Sequence, residues 1–125
     1  METVTWILQI VLAIAFLVAG AFKLSTPKAK LLENPNMAWT EDFSEAQVKA
    51  IGAIEVLGAI GLVLPVALDV VPVLTPIAAV GFVILMAAAA RTHLRRGEQQ
   101  ALPVNLVLGL IALAIAILRF GPYPG

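Results

Sequence analysis

The sequence predicts an all-α membrane protein, a bundle of four transmembrane helices, and three observations carry that prediction. Of its 125 residues 61% are hydrophobic and 13% charged, against roughly half and a quarter in soluble domains. A water-soluble chain of this size lacks the interior to hide so much apolar surface. The apolar residues fall into four blocks divided by short polar stretches, and the basic residues cluster in two of those stretches. This is the hydropathy profile of a multi-span chain.

The first block runs from about Val4 to Phe22, and the others cover about 48–68, 73–90 and 102–118. Each is about 17 to 21 residues, enough at ~1.5 Å per residue to cross a ~30 Å hydrocarbon core. Together they form a single domain, 1–125. Ala19-Gly20-Ala21 resembles a signal-peptide cleavage site. The acidic start Met1-Glu2-Thr3 argues instead for a retained span, because signal peptides begin with basic residues.

Only the first connection, Ser25 to Gln47, is long, and it is too polar to cross a bilayer. Two readings of it stand together. Ser44 caps the second span, with the nearby acidic residues favoured by the helix dipole. Trp39 and Phe43, at i and i+4, form one face of a short interfacial helix tucked under the bundle.

Lys23, Lys28, Lys30 and Lys49 surround the first connection, and Arg91, Arg95 and Arg96 lie in the third. These two connections share one side of an even-spanning bundle. The positive-inside rule makes that side cytoplasmic and places both termini outside, in a bacterial plasma membrane. Trp6, Phe120 and Tyr123 then read as anchors at the outer interface.

Helices in lipid associate through close fit, which small residues permit. Ala19 and Gly20, Gly52, Gly58, Ala59 and Gly61, and Gly81 with Ala87 to Ala90 imply near backbone contact. Pro65, Pro72 and Pro76 bracket the second turn, where absent amide hydrogens matter least or produce a kink.

Glu55 stands out, two turns into the second span with no charged residue within five positions. A carboxylate at that depth requires a proton or a cation. Lys23 and Arg91, ending the first and third spans, are the candidate partners. Glu55 then either fixes helix register through an ion pair or serves a ligand or proton. His93 and Arg95 follow the third span, and Asn105 lies one turn into the fourth, so all four helices send polar groups toward one half of the membrane. The other half, with Gln9, Thr75 and Arg119 at its edge, reads as scaffold. His93 beside Arg91, Arg95 and Arg96 also reads as part of a rim for lipid headgroups.

Zero net charge gives no field for nucleic acid. The absence of cysteine excludes disulfides and iron–sulfur ligation by this chain. His93 with Glu98 falls short of a metal site, so neither metal nor haem is expected.

Gly20-Ala21-Phe22-Lys23-Leu24, the run Gly52 to Leu62 followed by Pro65, and His93-Leu94-Arg95-Arg96-Gly97-Glu98 occur in an order that resembles the DoxX-like family. The likeness extends over Trp39 to Phe43, Asn105 and Arg119. It implies a four-helix membrane bundle linked to respiratory redox chemistry, since relatives include subunits of thiosulfate:quinone oxidoreductase and proteins of oxidative-stress membrane complexes. Without cysteine, a quinone-facing or accessory role is the expected transfer.

The leading expectation is a subunit that handles a quinone or another lipophilic small molecule beside redox partner proteins. In it Glu55 and His93 act on protons, while Lys23, Trp39, Arg91, Arg95 and Asn105 bind the ligand. A bound quinone is the one cofactor expected. The alternatives are a non-catalytic protein that binds membrane lipid or scaffolds a partner, a homo-oligomer among them, and a small-molecule transporter.

Overall fold

The computed structural model describes residues Met1–Pro124. Four long helices form the bundle: α1 (Glu2–Ser25), α3 (Glu45–Leu68), α4 (Leu74–Arg95) and α5 (Leu102–Phe120), with a single-turn α2 (Lys28–Leu31) in the first connection. Among the described residues there is no strand. Each long helix continues a turn or less past most of the predicted limits, because polar residues such as Lys23 and Glu45 extend it into the interface. α4 runs furthest beyond its limit, to Arg95.

Burial is inverted relative to a soluble protein. Ile7, Ile14 and Val18 on α1, Leu57 on α3, Ile84 on α4 and Leu106 on α5 are exposed, whereas Gln9, Lys23, Glu55, Thr75, His93 and Arg119 are buried. An apolar exterior around a polar-spotted interior suits lipid as the solvent. All four long helices have the length and hydropathy of membrane spans, and the chain is a multi-pass membrane protein.

α1 packs along α3 and α4 along α5, so the bundle consists of two antiparallel pairs; α3 meets α4, and α1 meets α5 over a shorter stretch. The end with the first and third connections is termed the basic end, and the opposite one the terminal end. Leu12, Phe16, Ala59, Leu62, Phe82, Met86, Ala112 and Ile115 fill the core. Phe16 and Phe82 stack with centroids 3.9 Å apart. Gly58 makes room for this stack, since a Cβ there would stand 2.5 Å from the Phe82 ring. Gly81, expected to pack, instead faces open space, and Ala87 and Ala88 are exposed.

The polar residues of the terminal half have a specific physical cause. Pro65 lies inside α3 and has no amide hydrogen, so the Gly61 carbonyl one turn earlier loses its helical donor. The Thr75 hydroxyl donates to that carbonyl at 2.9 Å, and the neighbouring Leu62 carbonyl accepts from Gln9 Nε2 at 2.6 Å. Backbone groups in lipid must be satisfied within the protein. Thr75→Val should therefore destabilise the bundle by about 1 kcal/mol. In a Pro65→Ala background, where the helical donor returns, the loss should largely vanish. Reversible unfolding in mixed detergent micelles measures both, and an equal loss in the two backgrounds would refute this account.

Arg119 refines the sequence reading. It lies in the last turn of α5, as expected, but its side chain turns inward and is fully buried. Nε donates to Gln9 Oε1 at 2.6 Å, and Nη1 donates to Glu2 at 2.7 Å and to the Tyr123 carbonyl at 2.9 Å. The Trp6 ring centroid is 5.4 Å from the guanidinium carbon. The chain Arg119–Gln9–Leu62 thus ties α5, α1 and α3 together. Trp6 belongs to this network.

Candidate functional site

At the basic end α1 and α3 meet with almost no side chain between them. A Cβ on Gly20 would lie 2.6 Å from the Gly52 carbonyl oxygen, and one on Gly52 would lie 2.9 Å from the Gly20 oxygen. One turn from each glycine stands a charged residue, Lys23 on α1 and Glu55 on α3. The close approach lets Lys23 Nζ reach Glu55 Oε1 at 2.7 Å, with both side chains nearly excluded from solvent. Of the two candidate cations, Lys23 is the partner; Arg91 is exposed.

The first connection folds over this pair. After α2, residues Pro35–Asp42 form a 3-10 helix begun by the Asn34 side chain, which accepts from the Asn36 amide. A short helix is thus present with the tighter 3-10 winding, favoured where a proline begins a short connector, but Phe43 stands just past its end in extended conformation rather than on its face. Ser44 caps α3 in a reciprocal box: its hydroxyl accepts from the Gln47 amide, and Gln47 Oε1 accepts from the Ser44 amide. The Trp39 ring lies 5.8 Å from Lys23 Nζ, within cation–π range. Trp39 also meets Phe43 edge to face at 5.6 Å.

Arg96 fastens this segment. Nη2 and Nη1 donate to Glu41 and Asp42, and Nε donates to Glu98, each at 3.0 Å. These contacts correct two expectations. Glu41 and Asp42 pair with Arg96 rather than with the α3 dipole, and Arg96 is held by three carboxylates rather than presented to headgroups. Its guanidinium pKa is raised, chiefly by the hydrogen bonds to Glu98 and Glu41.

Glu98 also holds His93, whose Nδ1 is 2.8 Å from Glu98 Oε1. Partial burial raises the Glu98 pKa, but the hydrogen bonds from His93 and Arg96 and their charges outweigh it, leaving the carboxyl below its ordinary value. An ionised carboxylate only accepts, so Nδ1 carries the hydrogen and Nε2 is the nitrogen left for another partner.

Between the four helices and the 3-10 segment is a cavity of about 410 Å³. Phe16, Leu85, Met86 and Leu108 supply apolar wall, while Lys23, Glu55, Thr92, His93 and Asn105 supply polar groups, with Trp39 and Phe43 at the covering segment. Of the seven residues singled out from sequence, Lys23, Trp39, Glu55, His93 and Asn105 come together here. Arg95 lies outside, in a shallow polar recess with Asp42, Phe43, Thr92 and Arg96. Arg91 lines neither concavity.

Sequence reasoning passed over Glu98 as a partner that orients His93, and the hold of Arg96 on Glu41 and Asp42. The five-residue spacing of His93 and Glu98 across a helix end was a usable signal for the first. Nothing local marks the second, whose partners are separated by more than fifty positions.

A mostly apolar cavity with a few converging polar groups, set among four apolar helices long enough to span a membrane, belongs to a small multi-pass membrane protein. Residues 7–115, most of the chain, match the family model described as the DoxX-like family. The chain belongs to the DoxX-like family. No curated protein and no solved structure matches it.

Proposed function

We propose that this chamber receives the polar head of a quinone or a similar lipophilic carbonyl compound, and that the protein serves as a ligand-handling membrane subunit beside an oxidoreductase. The observation that carries this reading is the convergence of Lys23, Glu55, His93 and Asn105 on one chamber with apolar walls. Its size falls within the ~300–1,000 Å³ range of small-molecule sites. An aromatic ring suits the Phe16 and Met86 wall, and ring oxygens suit donors such as Asn105 and Lys23. Glu55, balanced by Lys23, is suited to take the proton that a quinol hydroxyl releases. The distribution of lysine and arginine supports a cytoplasmic basic end, with both termini outside in a bacterial plasma membrane.

Glu55→Gln keeps an oxygen for Lys23 while removing the titratable group. It should lower the affinity for decylbenzoquinol, whose hydroxyl donates to the carboxylate, by about tenfold in nanodiscs, the loss expected of one charged-group hydrogen bond. Native mass spectrometry of the wild type extracted with its lipids should show a quinone bound. Unchanged affinity and an empty wild-type chamber would sink the reading.

A second reading, a lipid-binding scaffold, is favoured by the exposed Arg91 and Arg95 at the basic rim. Loss of stability or oligomerisation in Glu55→Gln, with no change in ligand affinity, would support it.

A further inference from the structure

The chamber borders a second and a third concavity, and the two differ in character. Through Phe43 and Thr92 it adjoins the polar recess at Arg95 and Arg96. Through Met86 and Asn105 it adjoins a groove between α4 and α5. That groove is almost wholly apolar, walled by Val83, Leu102, Leu106 and Leu110 with Gly109 at its floor. Val104, Leu106 and Leu110 are exposed on the outer surface of α5, so the groove faces lipid.

One side of the chamber thus leads toward water and the other toward the hydrocarbon. The dividing wall on the lipid side is thin. Met86 and Asn105 belong to both spaces, and they are joined by one long hydrogen bond, Asn105 Nδ2 to the Met86 carbonyl at 3.3 Å. Methionine is the most adaptable apolar side chain for such a position, with three rotatable bonds to reshape a passage.

We propose that the α4–α5 groove is the subsite for the aliphatic chain of the chamber's ligand, whose chain leaves between Met86 and Asn105. The inference rests on the chamber being a lipophile site. Continuity supports it, because Met86 and Asn105 line both the chamber and the groove. Length supports it too. From Leu102 to Leu113 the groove runs about 16 Å at ~1.5 Å per residue, roughly half the ~30 Å hydrocarbon thickness. A chain lying there stays within the leaflet at the basic end, with its head at the level of Glu55 and Lys23. The ligand class is therefore an amphiphile with a compact polar head and one linear apolar chain.

The test compares decylbenzoquinone with tailless benzoquinone, at matched concentrations in the bilayer phase of nanodiscs holding the full chain. Gly109→Leu fills the groove floor, and the site tolerates it, since a Cβ there meets Met86 only at an ordinary 3.4 Å. Ala90→Leu fills the groove from α4 and serves as the second variant. Both should weaken decylbenzoquinone by about fivefold, a modest loss because a displaced chain returns to lipid rather than water. Benzoquinone binding should be unchanged, which also certifies the fold. If neither variant discriminates between the probes while Asn105→Ala, which removes a donor to the ring oxygens, weakens both, the groove inference falls and the chamber reading survives. If wild type binds neither probe, both fall. A shift of Gly109→Leu from dimer to monomer, with both affinities intact, would assign the groove to a second copy of the chain and overturn the inference.

Discussion

Lys23→Met should destabilise the bundle by about 3–5 kcal/mol, the usual loss when one member of a buried ion pair is removed. The substitution conserves length and apolar stem, so it leaves the α1–α3 fit intact and strands the Glu55 carboxylate in the interior. Its side chain is only 5% exposed, and its hydrogen bond to Lys23 is lost. Adding Glu55→Gln should restore most of the loss, because a neutral amide is far easier to bury than an unpaired carboxylate. Equilibrium unfolding in mixed micelles, run as a double-mutant cycle, measures the coupling. Additive single effects would show that the two groups are not partners.

Gly20→Val is the other large effect. Its first new atom would stand 2.6 Å from the Gly52 carbonyl oxygen and 2.8 Å from the Val56 side chain. The backbone cannot rotate away as a side-chain tip can, so α1 and α3 must separate. Overpacking alone costs about 1–3 kcal/mol. The separation also lengthens the Lys23–Glu55 contact, so a total of about 4 kcal/mol is expected. Gly81→Val is the control: Gly81 meets nothing within 4 Å, and the same unfolding measurement should show a change under about 1 kcal/mol. Equal losses at the two glycines would refute the close contact.

The contrast between these glycines shows how far a sequence can be read. Span number and approximate limits follow from hydropathy, because lipid imposes a length on every apolar segment. Glu55 was conspicuous because a carboxylate inside a span needs a reason. Its grouping with Lys23, His93 and Asn105 followed from counting residues from the same membrane face. Which glycine packs depends on helix rotation, and α4 is too uniformly apolar to fix its own. For the same reason the sequence places Arg119 at the end of a span but does not show which way its side chain turns. Hydropathy cannot distinguish an arginine at a span's end that rises to water from one that turns inward to Gln9. The Thr75 and Gln9 hydrogen bonds required knowing which helices flank Pro65. Arg91 and Arg95 look equivalent to Arg96 in sequence, yet only Arg96 lies where Glu41, Asp42 and Glu98 converge.

The polar cross-links between the two helix pairs are unevenly distributed along the bundle. Arg119 to Gln9 and Thr75 to the Gly61 carbonyl join α1–α3 to α4–α5 in the terminal half. In the basic half the space between the pairs is chamber, bridged by Arg96 through the covering segment. Mechanically this is a clothes-peg, with its spring at the terminal end and its jaws at the basic end. The terminal end is thus cross-linked directly from helix to helix, and the basic end by way of the first connection.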